Sequence, residues 1–549
     1  MLANRVRTRR WVSGVCLACW HALLLAEPSE APGTDGRFFL QDNSEHLRGE
    51  FDALRQRQLL RDEDIRCAPA EPDAHGNACL PVRALRVTGV TLLGAEDLAL
   101  VREQGAGCMY GMRLQRILQR LMALYVERGY VAARVVPQLS ADGVMTLQVL
   151  EGHVEEIEGD EQAAAWLFPA MSGKPLNIRD LEQGLDQANR LQSAALRAEI
   201  VPGRQVGGST VRLRGQVAPA WHGRIALDNW GYDATGRQVA GLTLARDNLS
   251  GRYDYLSLAL EHSLAAGRFS RRHSLFYSLP HGYWSYSLFA GQSAYLNPQR
   301  LRYGTVALTG ESSQLGLRLD RVLWRDQQRI WSTHGQVSHK RVANYFLGSL
   351  QQVSSPTLSV LSLGVDRLSL LAFGSLTLEL SLDSGQGWFG ADDGVPGGPS
   401  TRFDKWRLST TLRHLTPLPG WQWESRLQGQ YSGRRLPAVE QLELADNSMV
   451  RGFRHNSLAS ERGWVWRNTL HGQFRRGDWQ WLPRLGLDLG GVWQTRDDGG
   501  DQRMAGWGLG MTLRYGDWSL DGEYSRPLWQ PDYFVGESQQ VLLRLSRQF

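Results

Sequence analysis

Ser375-Leu376-Thr377-Leu378-Glu379-Leu380-Ser381-Leu382 alternates leucine with small or charged polar residues. A strand with period two puts the leucines on one face and Ser, Thr and Glu on the other. Such a strand separates an apolar medium from a polar one. The pattern recurs outward from this stretch. Tyr255 to Glu261 carries Leu256, Leu258 and Leu260 on one face, and the C-terminus does the same with Val541, Leu543, Leu545 and Phe549. Before about Gln216 the apolar period is helical instead. The chain therefore changes architecture there.

A soluble sandwich alternates too, so the connections must separate the two readings. Tight turns fall at Leu249–Arg252, Pro280–Gly282, Arg325–Gln328, Leu371–Gly374, Thr416–Gly420, Arg475–Asp478 and Tyr515–Asp517. Longer loops lie between them, at Ala343–Ser355, Gly387–Thr401, Ser432–Arg462 and Arg526–Gln539. Alternating short and long connections are the hairpin logic of a bacterial outer-membrane barrel. With Arg302 to Trp324 as one strand, residues 218–549 hold sixteen strands. Even parity keeps both barrel ends on the periplasmic side.

Composition agrees. Of 20 Trp, 17 follow residue 217, as the aromatic girdles of a membrane barrel require. Past residue 26 no apolar run approaches the roughly 18 residues of a spanning helix. The net charge of +5 is small for 549 residues and its cations are scattered, which argues against nucleic acid. Residues 1–26 read as a signal peptide, with Arg5, Arg7, Arg9 and Arg10 before the apolar Trp11–Ala26. After export a disulfide is allowed, and Cys79–Cys108 is the expected pair, flanking the start of one compact domain. Cys67 is then left unassigned. His75 lies four residues before Cys79 without a second ligand pair at zinc spacing, so no metal is expected.

Ahead of the barrel, Leu47, Phe51, Leu54 and Leu59 predict a helix over Ser44–Ile65, within a region 27–65. Residues 66–80 read as a linker rich in Ala, Pro, Asp and Gly. Two small α/β units of about 65–75 residues follow, 81–153 and 154–217. The first reads as strand Ala84–Val90, helix Gly111–Arg128, and strands Tyr130–Val136 and Val144–Leu150. The second reads as strand Val154–Glu158, helix Asn177–Leu191, and strands Arg197–Val201 and Thr210–Arg214.

The long loop 432–462 contains Val450-Arg451-Gly452-Phe453. The next hairpin carries Gly486-Leu487-Asp488-Leu489-Gly490, where parity sends Leu485, Leu487 and Leu489 to lipid and Asp488 to the lumen. A carboxylate inside a barrel is costly unless solvated or paired. A loop Arg folded inward can pair with it, most strongly as a bidentate fork. From the residues alone, a solvated Arg451 and an Asp488 lining a wet channel stays open.

These paired motifs resemble those of TpsB-type outer-membrane transporters of two-partner secretion, the haemolysin and filamentous-haemagglutinin exporters. Val450-Arg451-Gly452-Phe453 is similar to that family's VRG(Y/F) loop motif, and Gly486, Asp488 and Gly490 match its (F/G)xDxG strand motif. Residues 81–153 and 154–217 resemble POTRA domains, with Glu127-Arg128-Gly129-Tyr130 and Pro202-Gly203 through Gly208-Ser209 where such domains carry similar residues. Ser44–Ile65 resembles the plug helix, and Phe549 the terminal aromatic of a barrel-assembly signal. Arg547 departs from this pattern on the outward face and has to snorkel at the rim.

The resemblance implies a membrane all-β protein: a 16-stranded antiparallel transmembrane β-barrel behind two POTRA domains and an N-terminal plug helix. It implies an outer-membrane location, with the POTRA domains in the periplasm. The implied partners are a cognate secreted TpsA-type exoprotein, the barrel-assembly machinery and outer-membrane lipid, with the chain a monomer. No cofactor is expected, and no G-x-x-x-x-G-K-[ST] phosphate loop occurs. No nucleophile or metal spacing suggests an enzyme. An outer-membrane protein assembly insertase is the alternative, and a passive porin leaves the two front domains unexplained.

Overall fold

The computed structural model describes residues 49–52, 65–67, 80–102, 107–301, 304–445, 448–493 and 500–549. The leader 1–26, the Cys79–Cys108 pair and most of the helix Ser44–Ile65 lie outside them. Residues 49–52 of that stretch are helical. Its expected end is not: Ile65–Cys67 is a strand, paired in parallel with Ala194–Pro202. An open sheet edge offers unpaired main-chain groups, and this short segment takes them up.

In the first unit, strands Ala84–Thr88, Val144–Leu150 and Arg134–Leu139 form a sheet in that order. Helix Gly111–Glu127 lays Ile117, Leu121, Leu124 and Tyr125 against Met145, Leu147 and Val149 of that sheet. A strand was expected from Tyr130, but it starts at Arg134. Gly129, at φ +92°, reverses the chain, and Tyr130 turns back onto Tyr125. Gly129 also joins the two units. Its carbonyl accepts the Ile178 N–H, and a Cβ there would sit 2.3 Å from Asn177 Oδ1. Asn177 caps helix Ile178–Asn189 through the Arg179 N–H. The second sheet runs Ile65–Cys67, Ala194–Pro202, Gly208–Val217, His153–Glu158. Its hairpin needs Gly203 and Gly208 because Glu155 Oε2, which accepts the N–H groups of Arg204 and Gln205, fills the space beside them.

Sixteen antiparallel strands close into a barrel. They are β1 (Trp221–Asp228), β2 (Val239–Asp247), β3 (Tyr255–Ser263), β4 (Phe269–His281), β5 (Trp284–Leu301), β6 (Gly304–Arg325), β7 (Arg329–Phe346) and β8 (Thr357–Leu371). Then come β9 (Gly374–Gln386), β10 (Asp404–Leu415), β11 (Trp421–Ser432), β12 (Arg462–Gly472), β13 (Trp479–Trp493), β14 (Asp501–Tyr515), β15 (Trp518–Trp529) and β16 (Gln540–Gln548). The stretch that decided the fold lies in β9. There Leu380 is 45% exposed and Ser381 2%, so leucine meets lipid and serine the lumen. Trp324, Trp423, Trp479 and Trp518 stand exposed near the short turns, and Phe346, Trp406, Tyr431 and Trp493 near the long loops. These are the two interfacial girdles.

The second unit is docked on the short turns. Buried Arg190 donates to Ser278 Oγ (2.9 Å), Ser278 O (3.2 Å) and Tyr253 O (3.3 Å). Burial pushes its guanidinium down to about 10, with Asp254 and Asp247 opposing the shift, so it stays charged at neutral pH. The Ser193 N–H donates to Asp247, Tyr253 Oη to Asp160, and Arg325 to Gln183. Arg190→Ala removes the buried guanidinium with its three bonds, leaves their buried acceptors unpaired and is expected to weaken this docking by about 3 kcal/mol. Limited proteolysis near residues 217–221 checks it: faster cleavage is expected, with the barrel itself still resistant.

Candidate functional site

After Ser432 the chain turns into the lumen. It forms a 3-10 turn at Ala438–Glu440 and a small hairpin of Leu442–Glu443 with Ala459–Ser460. It also carries its own apolar core. Leu444, Met449, Val450, Phe453 and Leu458 are buried against Val465, Val492 and Met504 of β12–β14 and against Phe534. Each such side chain contributes about 1.5–3 kcal/mol, so the loop is a folded part of the wall.

Arg451 and Asp488 meet, as their motifs imply, with a geometry that parity could not supply. The contact is not a bidentate fork. The Arg451 main-chain N–H donates to Asp488 Oδ2 (3.1 Å), while Nη1 lies 3.5 Å from Oδ1. Nη2 donates to Thr469 Oγ1 at 2.5 Å, and Nε lies 3.7 Å from Glu523. Asp488 is wholly buried, opposite Arg467 of β12. Two cations therefore face one buried carboxylate, which is what keeps it tolerable there.

The glycines explain the seat. A Cβ on Gly486 would lie 1.1 Å from Arg451 Nη1, and one on Gly506 1.8 Å from Arg451 O. On Gly508 it would lie 3.0 Å from Arg451 Cδ, and on Gly490 3.1 Å from Val450. Gly452 has φ +92° and presses on Arg526, a place for glycine alone. Gly486, Gly490 and Gly452 belong to the sequence motifs. Gly506, Gly508, Thr469 and Glu523 do not, though the small residues alternating at Gly506-Trp507-Gly508-Leu509-Gly510 were a usable signal.

A second anchor was not legible at all. Glu440, 3% exposed, receives Lys340 Nζ at 2.7 Å and Lys405 Nζ at 2.6 Å. Its carbonyl accepts Lys405 Nζ (3.0 Å) and Gln430 Nε2 (2.9 Å). Beyond the Arg451 motif, Glu537 accepts the N–H groups of Arg454, His455 and Asn456. The described helical residues 49–52 also sit in the lumen. Phe51 stands edge-on to Phe276 and Phe289 under the Arg318 guanidinium, and Glu50 accepts long contacts from Tyr255 (3.4 Å) and Ser257 (3.3 Å).

Among the described residues one group, Asp320, His334 and Asp366, has the spacing of a cation site. Its members are already engaged. Arg318 forks onto Asp320, and His334 Nδ1 lies 2.9 Å from Asp366. Phe549 closes the chain beside β1: its N–H and carbonyl exchange bonds with Gly223, whose face it covers. Arg547 rests over Trp518 at the rim.

Residues 207–513 match the family described as haemolysin secretion/activation protein ShlB/FhaC/HecB. Residues 80–152 match a ShlB-type POTRA domain and 152–202 a POTRA domain. The chain is 38% identical to the hemolysin transporter protein ShlB of Serratia marcescens, covering 94% of each. It is 34% identical to the hemolysin transporter HpmB of Proteus mirabilis, covering 90% of each. The solved structure of CdiB from Escherichia coli superposes with a TM-score of 0.87 at 27% identity, over 95% of this chain and all of that one.

Gly486→Ala places a carbon on Arg451 Nη1 and is expected to unseat the loop tip as fully as Arg451→Ala. Hydrogen exchange of amides 450–453 should quicken at least about tenfold in both. Unchanged exchange in Gly486→Ala would mean that the guanidinium has another seat.

Proposed function

Because the chain belongs to the haemolysin secretion/activation protein family, we propose that it secretes one cognate exoprotein across the outer membrane by two-partner secretion. The observation that carries this is a barrel whose lumen holds both a helix segment and an anchored loop, behind two periplasmic POTRA domains. A diffusion pore has no use for that front end. An assembly insertase usually carries more POTRA units and no plug.

The client is unfolded on arrival and of haemolysin type, as two relatives are named for that transport. The second unit offers it the outer edge of Ala194–Pro202, now held by Ile65–Cys67. A client strand displacing those three residues gains main-chain bonds and at the same time loosens the segment leading to the plug. The plug then leaves and the client threads the lumen. Folding outside the cell supplies the drive, without ATP. Arg451 and Asp488 hold the loop in its transport-competent place. We assign 81–153 and 154–217 to the two POTRA domains, and Phe549 to recognition by the barrel-assembly machinery. We infer a monomeric transporter rather than an enzyme.

Two outcomes are expected. Arg451→Ala should insert normally yet leave far less exoprotein in the medium; wild-type levels would remove the loop from the mechanism. Deleting residues 81–217 should leave a conducting barrel that exports no client. Export surviving that deletion would contradict recognition by the POTRA domains.

A further inference from the structure

The loop and the helix segment share the lumen. The loop is fixed at Glu440 to β7 and β10, and at Arg451 to β12 and β13, with its apolar core between. The described residues of the helix segment meet the wall through the half-buried Phe51 ring, the Arg318 guanidinium over it and two Glu50 contacts of 3.3–3.4 Å.

A cavity of about 430 Å³ lies between the two. On β4–β9 its wall displays Ser287, Ser332, Ser338, Ser362 and Ser381 among the charged side chains of Arg318, Asp320, Arg321, Lys340, Glu379 and Asp383. A hydroxyl donates and accepts, rotates freely and carries no charge. Each bond it exchanges with water or a peptide group is nearly even in free energy. An extended polypeptide sliding over such a wall finds partners at every step and no strong one. Most charges on the same wall are committed to partners: Arg318 forks onto Asp320, Arg407 forks onto Asp383, Lys340 pairs with Glu440, and the Arg321 guanidinium lies over Trp284.

Resting on the export reading above, we propose that the loop is a stationary strap held by Glu440 as well as by Arg451, and that the exported chain runs along the serine-lined wall of β4–β9 once the helix segment has left it. Glu440 is then a positioning residue. Its two lysines keep the first half of the loop against β10 and out of the track. The occupant of the track is an extended, unfolded polypeptide, whose main-chain groups the serines match whatever its side chains are.

The test uses the full-length chain in its own host. The client is defined as the exoprotein that vanishes from the culture medium when this chain is deleted. If none vanishes, the export reading itself fails. Glu440→Cys alone, and Glu440→Cys with Lys405→Cys before cross-linking, should insert normally and secrete about tenfold less. Joining the two cysteines with a short bifunctional thiol reagent should restore secretion to within about twofold of wild type, because a covalent bond replaces the ion pair. Glu440→Cys alone, treated with the same reagent, should stay low. Joining Phe51→Cys to Phe276→Cys should block secretion, and cleaving a reducible linker should release it. A cross-linked loop that inserts but does not secrete would overturn the proposal, since the loop must then move. Full secretion by Glu440→Cys alone would remove Glu440 as the residue that holds it.

Discussion

A backbone N–H or C=O facing hydrocarbon finds no water, so the strands must satisfy one another all the way round. Closure is hardest where the first and last barrel strands meet. The seam between β1 and β16 pairs five residues, Arg224–Asp228 with Arg544–Gln548, whereas β5 pairs with β6 along the whole of its own length. Side chains extend it. The Asn229 carboxamide donates to Val541 O (2.9 Å) and accepts from the Leu543 N–H (2.7 Å), copying a peptide group past the strand's end. Asp228 accepts from Arg544 Nε at 2.8 Å, and the same guanidinium lies 3.8 Å over Trp230. Pairing the first and last strands brings both barrel ends to one side. That is why the two small domains and the long loops face opposite ways.

Closing the sheet creates an interior, and the interior sets its own terms. Polar faces that would be solvated on an open sheet are crowded together, and charges there are tolerated only as pairs or triads. Glu440 between Lys340 and Lys405 is one such triad, and Asp488 between Arg451 and Arg467 another. Both hold the loop. Glycine supplies the room, since Arg451 lies where the side chains of Gly486, Gly506 and Gly508 would be. The second POTRA unit is bound into the same body by Arg190, so motion at its sheet edge bears on the turns under β3 and β4.

Much of this was legible from residues alone. Period-two leucines and alternating turn lengths specify a barrel and its strand number, because each depends only on neighbours along the chain. The longer helix of each POTRA unit was legible for the same reason, while the short helices Ala95–Arg102 and Glu161–Leu167 were not. The strand expected at Tyr130 failed because Gly129 takes a left-handed turn, and Ile65 failed because a sheet edge far along the chain claimed it. Those are tertiary demands on local segments.

The facing of Asp488 into the lumen followed from parity, and its meeting with Arg451 from the resemblance of two motifs. The manner of that meeting did not. A main-chain N–H on the carboxylate, a guanidinium directed to Thr469, and a seat hollowed by Gly506 and Gly508 all depend on where a thirty-residue loop comes to rest. Glu440 gave no sign, since neither Lys340 nor Lys405 stands at any telling distance from it in the chain. Sequence period encodes which face of a strand a residue occupies. Only the closed barrel decides which residues then share the space inside it.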